Sequence, residues 1–421
     1  MSEANPRQLD AVVIGAGFGG LYALHLLREL GLRVRVFDDA SSVGGTWAWN
    51  RYPGARVDFP GGPYYCYTFS QELVDEWDWP ETQPDQPAVL AYLNYVADRF
   101  DLRRDISLNT RVTGARYDEA AQRWEIELAG GERAQAQFLV CATGALSAAN
   151  RPDIPGLDRF AGECYHTGLW PQQPVRFAGK RVGVIGTGSS GVQAIPVIAR
   201  EAAHLSVFQR TPQYAIPARN RPLDEDFKRQ TRAQWPQLRA VMLETLAGTP
   251  FPSPTRSALD DTPEQRTAAY EEHWQRGGLG IAFGTYGDLM TNAAANETLC
   301  EFVREKIRQT VRDPAIARRL LPSYPIGTKR LILDEGYFET YNRDNVTLID
   351  LREDPIVEIT PRGVRTERGE HPLDMLVLAT GFDAITGALL RLNPRGRGGR
   401  SLADTWAGRF STYLGLAVRG F

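Results

Sequence analysis

Of 421 residues, 48 are Lys or Arg and 51 are Asp or Glu, for a formal net charge of -3, and 43% are hydrophobic. A chain this long outgrows one core of ordinary size, so two or three domains are expected. The balanced charge offers no footprint for nucleic acid and no polybasic stretch for a membrane; with a polar start, Met1-Ser-Glu-Ala-Asn-Pro, and no apolar run near the roughly 18 residues that span a bilayer, a cytoplasmic monomer is expected.

The first element is an apolar strand, Ala11–Ile14, that runs into Gly15-Ala-Gly17-Phe-Gly-Gly20. A helix follows with Leu21, Leu24, Leu27 and Leu30 on one face, ended by Gly31, and then a strand from Val34 to Phe37. This is a βαβ unit with a dinucleotide fingerprint. Gly15, Gly17 and Gly20 permit a tight turn, close approach of backbone to a pyrophosphate and close helix–strand packing, while the helix N-terminus offers unpaired N–H groups to phosphates. Asp38 stands at the strand end, where a carboxylate accepts hydrogen bonds from ribose hydroxyls.

Further along, Phe138-Leu-Val-Cys-Ala-Thr-Gly144 is an apolar strand ending in Ala-Thr-Gly, and Met375-Leu-Val-Leu-Ala-Thr-Gly381 nearly copies it. The two endings read either as the crossings where the chain leaves one nucleotide domain and returns to it, or as two ordinary buried strands. Between them lies a second fingerprint, Gly186-Thr187-Gly188-Ser189-Ser190-Gly191, with Gln193 in its helix and strands at Val182–Ile185 and Leu205–Phe208. The second of these strands ends in Gln209-Arg210-Thr211, a cation and a hydroxyl that suit a 2′-phosphate, which favours NADP over NAD. Pro196 removes a backbone donor inside the helix, so a kink or a late start is expected there.

From Arg219 to Leu321 the pattern turns helical. Thr262-Pro-Glu-Gln265 reads as an N-cap, an N1 proline and a capping residue at N3 for a helix towards Trp274. Leu299, Phe302, Val303, Ile307 and Val311 share one face of another. This insertion either covers a cleft between nucleotide domains and shapes a substrate pocket, or is a scaffold remote from the site. Cys66, Cys141, Cys164 and Cys300 form no Cys-x-x-Cys pair, which argues against structural zinc and against the dithiol chemistry of pyridine-nucleotide disulfide reductases. The five histidines have no metal-ligand spacing, and no metal is expected.

Ahead of the second fingerprint, Phe160-x-Gly162-x-x-x-His166-x-x-x-Trp170-Pro171 matches the signature of Baeyer–Villiger monooxygenases. The chain resembles that family from Ala11 to its end, most of all its phenylacetone monooxygenase type. The supporting segments are Gly44-Gly-Thr-Trp-Ala-Trp-Asn-Arg-Tyr-Pro-Gly-Ala-Arg-Val-Asp58, Tyr65-Cys-Tyr67, Gln209-Arg-Thr211, Gly327-Thr-Lys-Arg330 and Tyr341-Asn-Arg-Asp-Asn-Val346. The resemblance implies FAD and NADP(H) as cofactors. It implies a reaction in which NADPH reduces the flavin, O₂ adds to give a C4a-peroxyflavin, and this attacks a ketone to give an ester or lactone.

By the same resemblance Arg330 is the cation beside the reacting oxygen, with Asp58 as the carboxylate that pairs with and orients it, both within the cofactor site. Lys329 joins Arg210 and Thr211 in holding the 2′-phosphate, and Thr46, Trp47, Trp49, Tyr65 and Val112 fall to the flavin. His166 and Trp170 fall to the linker. The fold implied is α/β, with two Rossmann-like dinucleotide-binding domains and a mainly helical insertion: FAD at 1–145 and 373–421, NADP at 146–218 and 322–372, the insertion at 219–321.

Three features depart from the family pattern. Phe59-Pro-Gly-Gly-Pro63 is a residue longer than usual and could shift Asp58, and Ala48 stands where relatives often have an aromatic residue. Family members also continue past the equivalent of Phe421 with a strand, a Gly-Pro-Gly loop and a helix that close the FAD domain. On that ground the FAD domain is expected to be incomplete, holding FAD weakly or belonging to a longer reading frame. The competing functional expectation is a truncated, catalytically impaired nucleotide-binding protein or an uncoupled NADPH oxidase.

Overall fold

A computed structural model describes residues 7–58, 64–245, 248–250 and 253–421. The chain divides into two compact units: residues up to Asn50 with Val89–Asn150 and Phe382–Phe421, and Arg51–Ala88 with Arg151–Gly381.

The first unit is built on a six-stranded sheet. Its strands are β1 (Arg7–Ile14), β2 (Val34–Phe37), β3 (Ile106–Ser107), β4 (Val112–Asp118), β5 (Arg123–Leu128) and β6 (Arg133–Cys141), in the order β3-β2-β1-β6-β5-β4. The β3-β2-β1-β6 part is parallel, and β4, β5 and the start of β6 form an antiparallel meander. Val12, Phe37, Ile126 and Ala136 are buried together between them. The helix Phe18–Glu29 connects β1 to β2 and buries Leu21 and Leu24. Leu30, expected on the same face, caps the helix and is 67% exposed, because Gly31 at φ +78° turns the chain away before another turn can form.

The second unit carries a five-stranded parallel sheet of β7 (Glu163–His166), β8 (Arg181–Ile185), β9 (His204–Gln209), β12 (Val346–Asp350) and β16 (Met375–Leu378), ordered β12-β9-β8-β16-β7. A parallel pair, β10 (Ala215–Pro217) and β11 (Ile332–Asp334), and an antiparallel trio, β13 (Ile356–Thr360), β14 (Gly363–Thr366) and β15 (Glu370–Pro372), complete it. The helix Ser189–Glu201 joins β8 to β9 and runs through Pro196 as one element. Its buried Val192, Ile195, Ile198 and Ala199 anchor it to the core on both sides of the proline, so the lost donor does not end it.

The helical region does not form a core of its own. Thr262 caps the helix Pro263–Arg276 through a capping box with Gln265, as its sequence requires. Leu299, Val303 and Ile307 of the helix Ala293–Thr310 are buried in one cluster with Ile195 of the helix Ser189–Glu201 and Leu205 of β9. Two boundaries also differ from the expected map. Met375–Leu378 pairs with β8 and β7 in the second unit, so the chain returns to the first at Phe382 and not at 373. Arg51–Ala88 belongs to the second unit because its backbone is bridged there, with Glu81 opposite Pro222 and Thr82 N donating to Arg221 O.

Candidate active site

Each sheet changes winding direction beside its central strand, and each fingerprint sits at that point. In the first unit β1 lies between β2 and β6, and in the second β8 lies between β9 and β16. Ligands of open α/β sheets bind at such crevices. The two loops are built alike. Gly15 and Gly186 both have φ +105°, and a Cβ on either would stand 2.4 Å from a carbonyl oxygen, Ala142 O or Ala379 O. These carbonyls open the two Ala-Thr-Gly endings, which explains the repeat: each ending is the strand neighbour against which a fingerprint turns. A Cβ on Gly20 would strike Gly15 O, and one on Gly191 would strike Gly186 O. Neither helix N-cap, Gly17 or Gly188, provides a side-chain cap, so the N-terminal N–H groups stay available to phosphates.

Both loops fit a dinucleotide. A Cβ at Gly188 would meet nothing within 4 Å, open space at the helix end that a pyrophosphate would fill. Gly17 lies against Gly45, 3.2 Å from the position of a Cβ, which seats the short helix Thr46–Trp49 at the first fingerprint. Thr46 is exposed, and Trp47 and Trp49 are half-buried on that helix. Asp38 is almost fully buried and accepts Ala16 N at 2.6 Å and Ala40 N at 2.8 Å. Burial raises its pKa against the opposing pull of those two amides. Its role here is to hold the loop, and each oxygen keeps a lone pair for a further donor. Val112 begins β4 and packs on the meander core.

In the second unit, Asp58 and Arg330 meet although 272 residues separate them. Arg330 Nε donates to Asp58 Oδ2 and Nη2 to Oδ1, both at 2.6 Å, a bidentate fork. The Asp58 side chain is 21% exposed and that of Arg330 60%, so the arginine is fixed in direction by a more buried partner. The hydrogen bonds to Asp58 raise the arginine's pKa further above its ordinary value, partly offset by desolvation. Tyr65 is half-buried. The segment Phe59–Pro63 lies outside the described residues.

Behind this pair the Arg51–Asp58 segment is latched to the second fingerprint's helix. Tyr52 Oη donates to Gln193 Oε1 at 2.7 Å, and Gln193 Nε2 donates to Arg56 O at 3.1 Å. Gly54, at φ +80°, packs so close that a Cβ would lie 2.4 Å from Gln193 O. Burial pushes the Tyr52 phenol up to about 12, so it stays a donor. Gln193 therefore holds the Asp58 segment through its side chain. Ser189 and Ser190 open the same helix and are half-buried.

Thr187 Oγ1 donates to Thr211 O at 3.1 Å, tying the fingerprint to the end of β9. Arg210 is exposed there, as is the whole run Gly327–Arg330. The base of that run is held by a residue absent from the expectations. Asn296, 5% exposed, accepts Ile326 N at 3.1 Å and donates to Ile326 O and Leu289 O, each at 2.8 Å. The signal was a polar residue on the buried face of a helix, four positions before Cys300 and seven before Val303. Tyr52 and Tyr324 were missed as well, each standing inside or beside a quoted motif without an assigned role.

His166 ends β7, accepts Gly168 N on Nδ1 and lies 3.2 Å from Thr380 Oγ1 on Nε2. Since Nδ1 accepts, Nε2 carries the proton and donates to Thr380, just before the chain leaves this unit. Trp170 is buried against Tyr165 and Phe177. The four cysteines are free. Among the described residues no His, Cys, Asp or Glu cluster could hold a metal, and no helix is long and apolar enough to cross a membrane.

Comparison with known proteins points the same way. The sequence profile of the pyridine nucleotide-disulphide oxidoreductase family matches residues 9–234. The acetone monooxygenase (methyl acetate-forming) of Gordonia sp. strain TY-5 is 45% identical over 98% of this chain and 78% of that protein. A Baeyer–Villiger monooxygenase of Pseudooceanicola batsensis is 45% identical over 97% of this chain and 75% of its own length. A solved structure of oxidized steroid monooxygenase bound to NADP is 52% identical with a TM-score of 0.94, covering 98% of this chain and 79% of that one.

Proposed function

This chain belongs to the Baeyer–Villiger monooxygenase family and carries the pyridine nucleotide-disulphide oxidoreductase domain, and on that premise we propose an NADPH- and O₂-dependent FAD enzyme that converts ketones to esters or lactones. The first unit is assigned to FAD and the second to NADP(H). When bound, the flavin reduced by NADPH supplies the activated oxygen that enters beside the ketone carbonyl. The chain's own residues bind, orient and compensate charge around that event.

Gly15, Gly17 and Gly20 with the helix at Phe18, and Gly186, Gly188 and Gly191 with the helix at Ser189, take the two pyrophosphates. Thr46, Trp47, Trp49 and Val112 of the first unit are proposed to contact FAD. Arg210, Thr211 and Lys329 take the 2′-phosphate. Of the five N–H donors of Arg330, Asp58 uses two, which leaves three for the oxygen that gains negative charge when the carbonyl is attacked. Asp58 keeps the guanidinium from swinging into water. The four free cysteines suit a reducing compartment, so the cytoplasm is the proposed location.

The bidentate Asp58–Arg330 pair is the observation that carries this reading. Purified protein supplied with FAD, NADPH, ¹⁸O₂ and a panel of cyclic and aryl ketones tests it. Ketone-dependent NADPH oxidation with one ¹⁸O in an ester product is expected. Ketone-independent NADPH oxidation that yields only hydrogen peroxide would reject it in favour of an oxidase.

A further inference from the structure

We propose that Tyr324 sets the recognition of the 2′-phosphate by holding Lys329 over the segment that carries Arg210. This rests on the NADP(H) reading above and names the residue that arranges its cations.

Lys329 and Arg330 are neighbours with different partners. Arg330 is engaged by Asp58, whereas among the described residues no carboxylate pairs with Lys329. Its Nζ instead lies 5.5 Å from the centroid of the Tyr324 ring. An ammonium over an aromatic face keeps its charge and all three N–H donors for a ligand, which a salt bridge would consume. A lysine on four methylenes otherwise samples many rotamers, and the ring face narrows that choice.

Tyr324 is itself fixed. Its hydroxyl oxygen lies 3.0 Å from Pro212 O and 2.9 Å from Gln213 Oε1, so one proton serves two acceptors. Its ring stands edge-on to Tyr214 at 5.5 Å and 79°. Desolvation raises the phenol to about 12, so it remains a donor at neutral pH. Pro212 follows Arg210 and Thr211, and Thr211 O accepts Thr187 of the fingerprint. A continuous path of contacts thus runs from Thr187 through Thr211 and Pro212 to Tyr324 and Lys329. It joins two exposed cation-bearing segments that lie more than a hundred residues apart in the sequence. A dianionic 2′-phosphate is the part of a nicotinamide dinucleotide that profits from two such cations, and NAD(H) lacks it.

The test compares Tyr324→Phe, which keeps the ring and loses the hydroxyl, with Tyr324→Leu, which loses both, in the full-length protein. Calorimetry with 2′,5′-ADP and with 5′-AMP reads binding apart from activity. For Tyr324→Leu, loss of the cation–ring contact should weaken 2′,5′-ADP about 5-fold and leave 5′-AMP within about 2-fold, with Tyr324→Phe between it and the wild type. The NADPH-to-NADH preference in KM should fall in the same order. Lys329→Ala should lose at least as much 2′,5′-ADP affinity, and adding Tyr324→Leu to it should cost nothing more. Unchanged 2′,5′-ADP binding in Tyr324→Leu, or an equal loss for both ligands, overturns the proposal. If Lys329→Ala itself has no effect on 2′,5′-ADP, the 2′-phosphate reading fails and the role of Tyr324 falls with it.

Discussion

Arg330 is useful because it is both charged and aimed. The fork with Asp58 fixes the plane of the guanidinium, and a lysine in its place would keep the charge while losing the second hydrogen bond. For Arg330→Ala, flavin reduction by NADPH should proceed while ester formation falls by about 10² or more, the size of effect seen when a donor to a developing oxyanion is removed. Stopped-flow absorbance for reduction and product analysis for oxygen transfer separate the two steps, and retained ester formation would take Arg330 out of the reaction. Asn296 acts at one remove. Asn296→Leu would leave Ile326 C=O and Leu289 C=O short of a partner in the core, and Ile326 N–H with only the weak acceptor Cys300 Sγ. Stability to urea should drop by about 2–4 kcal/mol, since each stranded buried group costs about 1–3 kcal/mol and relaxation recovers part. A loss under about 1 kcal/mol would mean that the Gly327–Arg330 run has another support.

At the scale of the element, sequence revealed what is decided within a few residues. Gly20 and Gly191 pack on Gly15 O and Gly186 O within their own fingerprints, Gly31 ends its helix, and Thr262 and Gln265 form a capping box, all without help from distant residues. Tertiary packing decided the rest. Pro196 does not break its helix because buried neighbours hold both halves. Arg51–Ala88 sits with the second unit because Tyr52 and Gly54 engage Gln193, a contact over 141 positions that no local pattern encodes. The Asp58–Arg330 pair was reachable only because family resemblance supplied both partners. A further case is Asp334, at the end of β11, whose carboxylate accepts Tyr337 N at the start of the helix Tyr337–Thr340. Burial lifts its pKa from 3.8 to about 7. The folded state therefore holds a proton that the unfolded chain has already released between those values, and stability falls as pH rises through that window. Between pH 5 and 7 the wild type should lose about 2 kcal/mol more than Asp334→Asn, which keeps an acceptor for the helix but cannot ionise. Urea titrations of both at the two pH values check this, and parallel pH profiles would show that Asp334 is ionised in the fold throughout.

Across the whole molecule, two loops of the same construction serve two separate cores. The first fingerprint rests on the sheet that buries Val12, Phe37 and Ile126, and the second on the sheet that buries Val184, Ile195 and Val207. Each closes against its own Ala-Thr-Gly carbonyl, Ala142 O or Ala379 O. A substitution in either loop therefore acts first on the loop and sheet of its own unit. At Gly15 an added methyl would need both φ +105°, which side chains rarely adopt, and a position 2.4 Å from Ala142 O, so the turn must open. In Gly15→Ala the FAD retained on purification should fall at least about 10-fold, which corresponds to only about 1.4 kcal/mol of lost binding, while 2′,5′-ADP affinity stays within about 2-fold of the wild type. Gly186→Ala should show the mirror image, with FAD retained and 2′,5′-ADP binding lost. Flavin absorbance and calorimetry on the same preparations give both numbers. If either substitution removes both ligands together, its effect is not confined to its own unit and the assignment of one ligand to each loop fails.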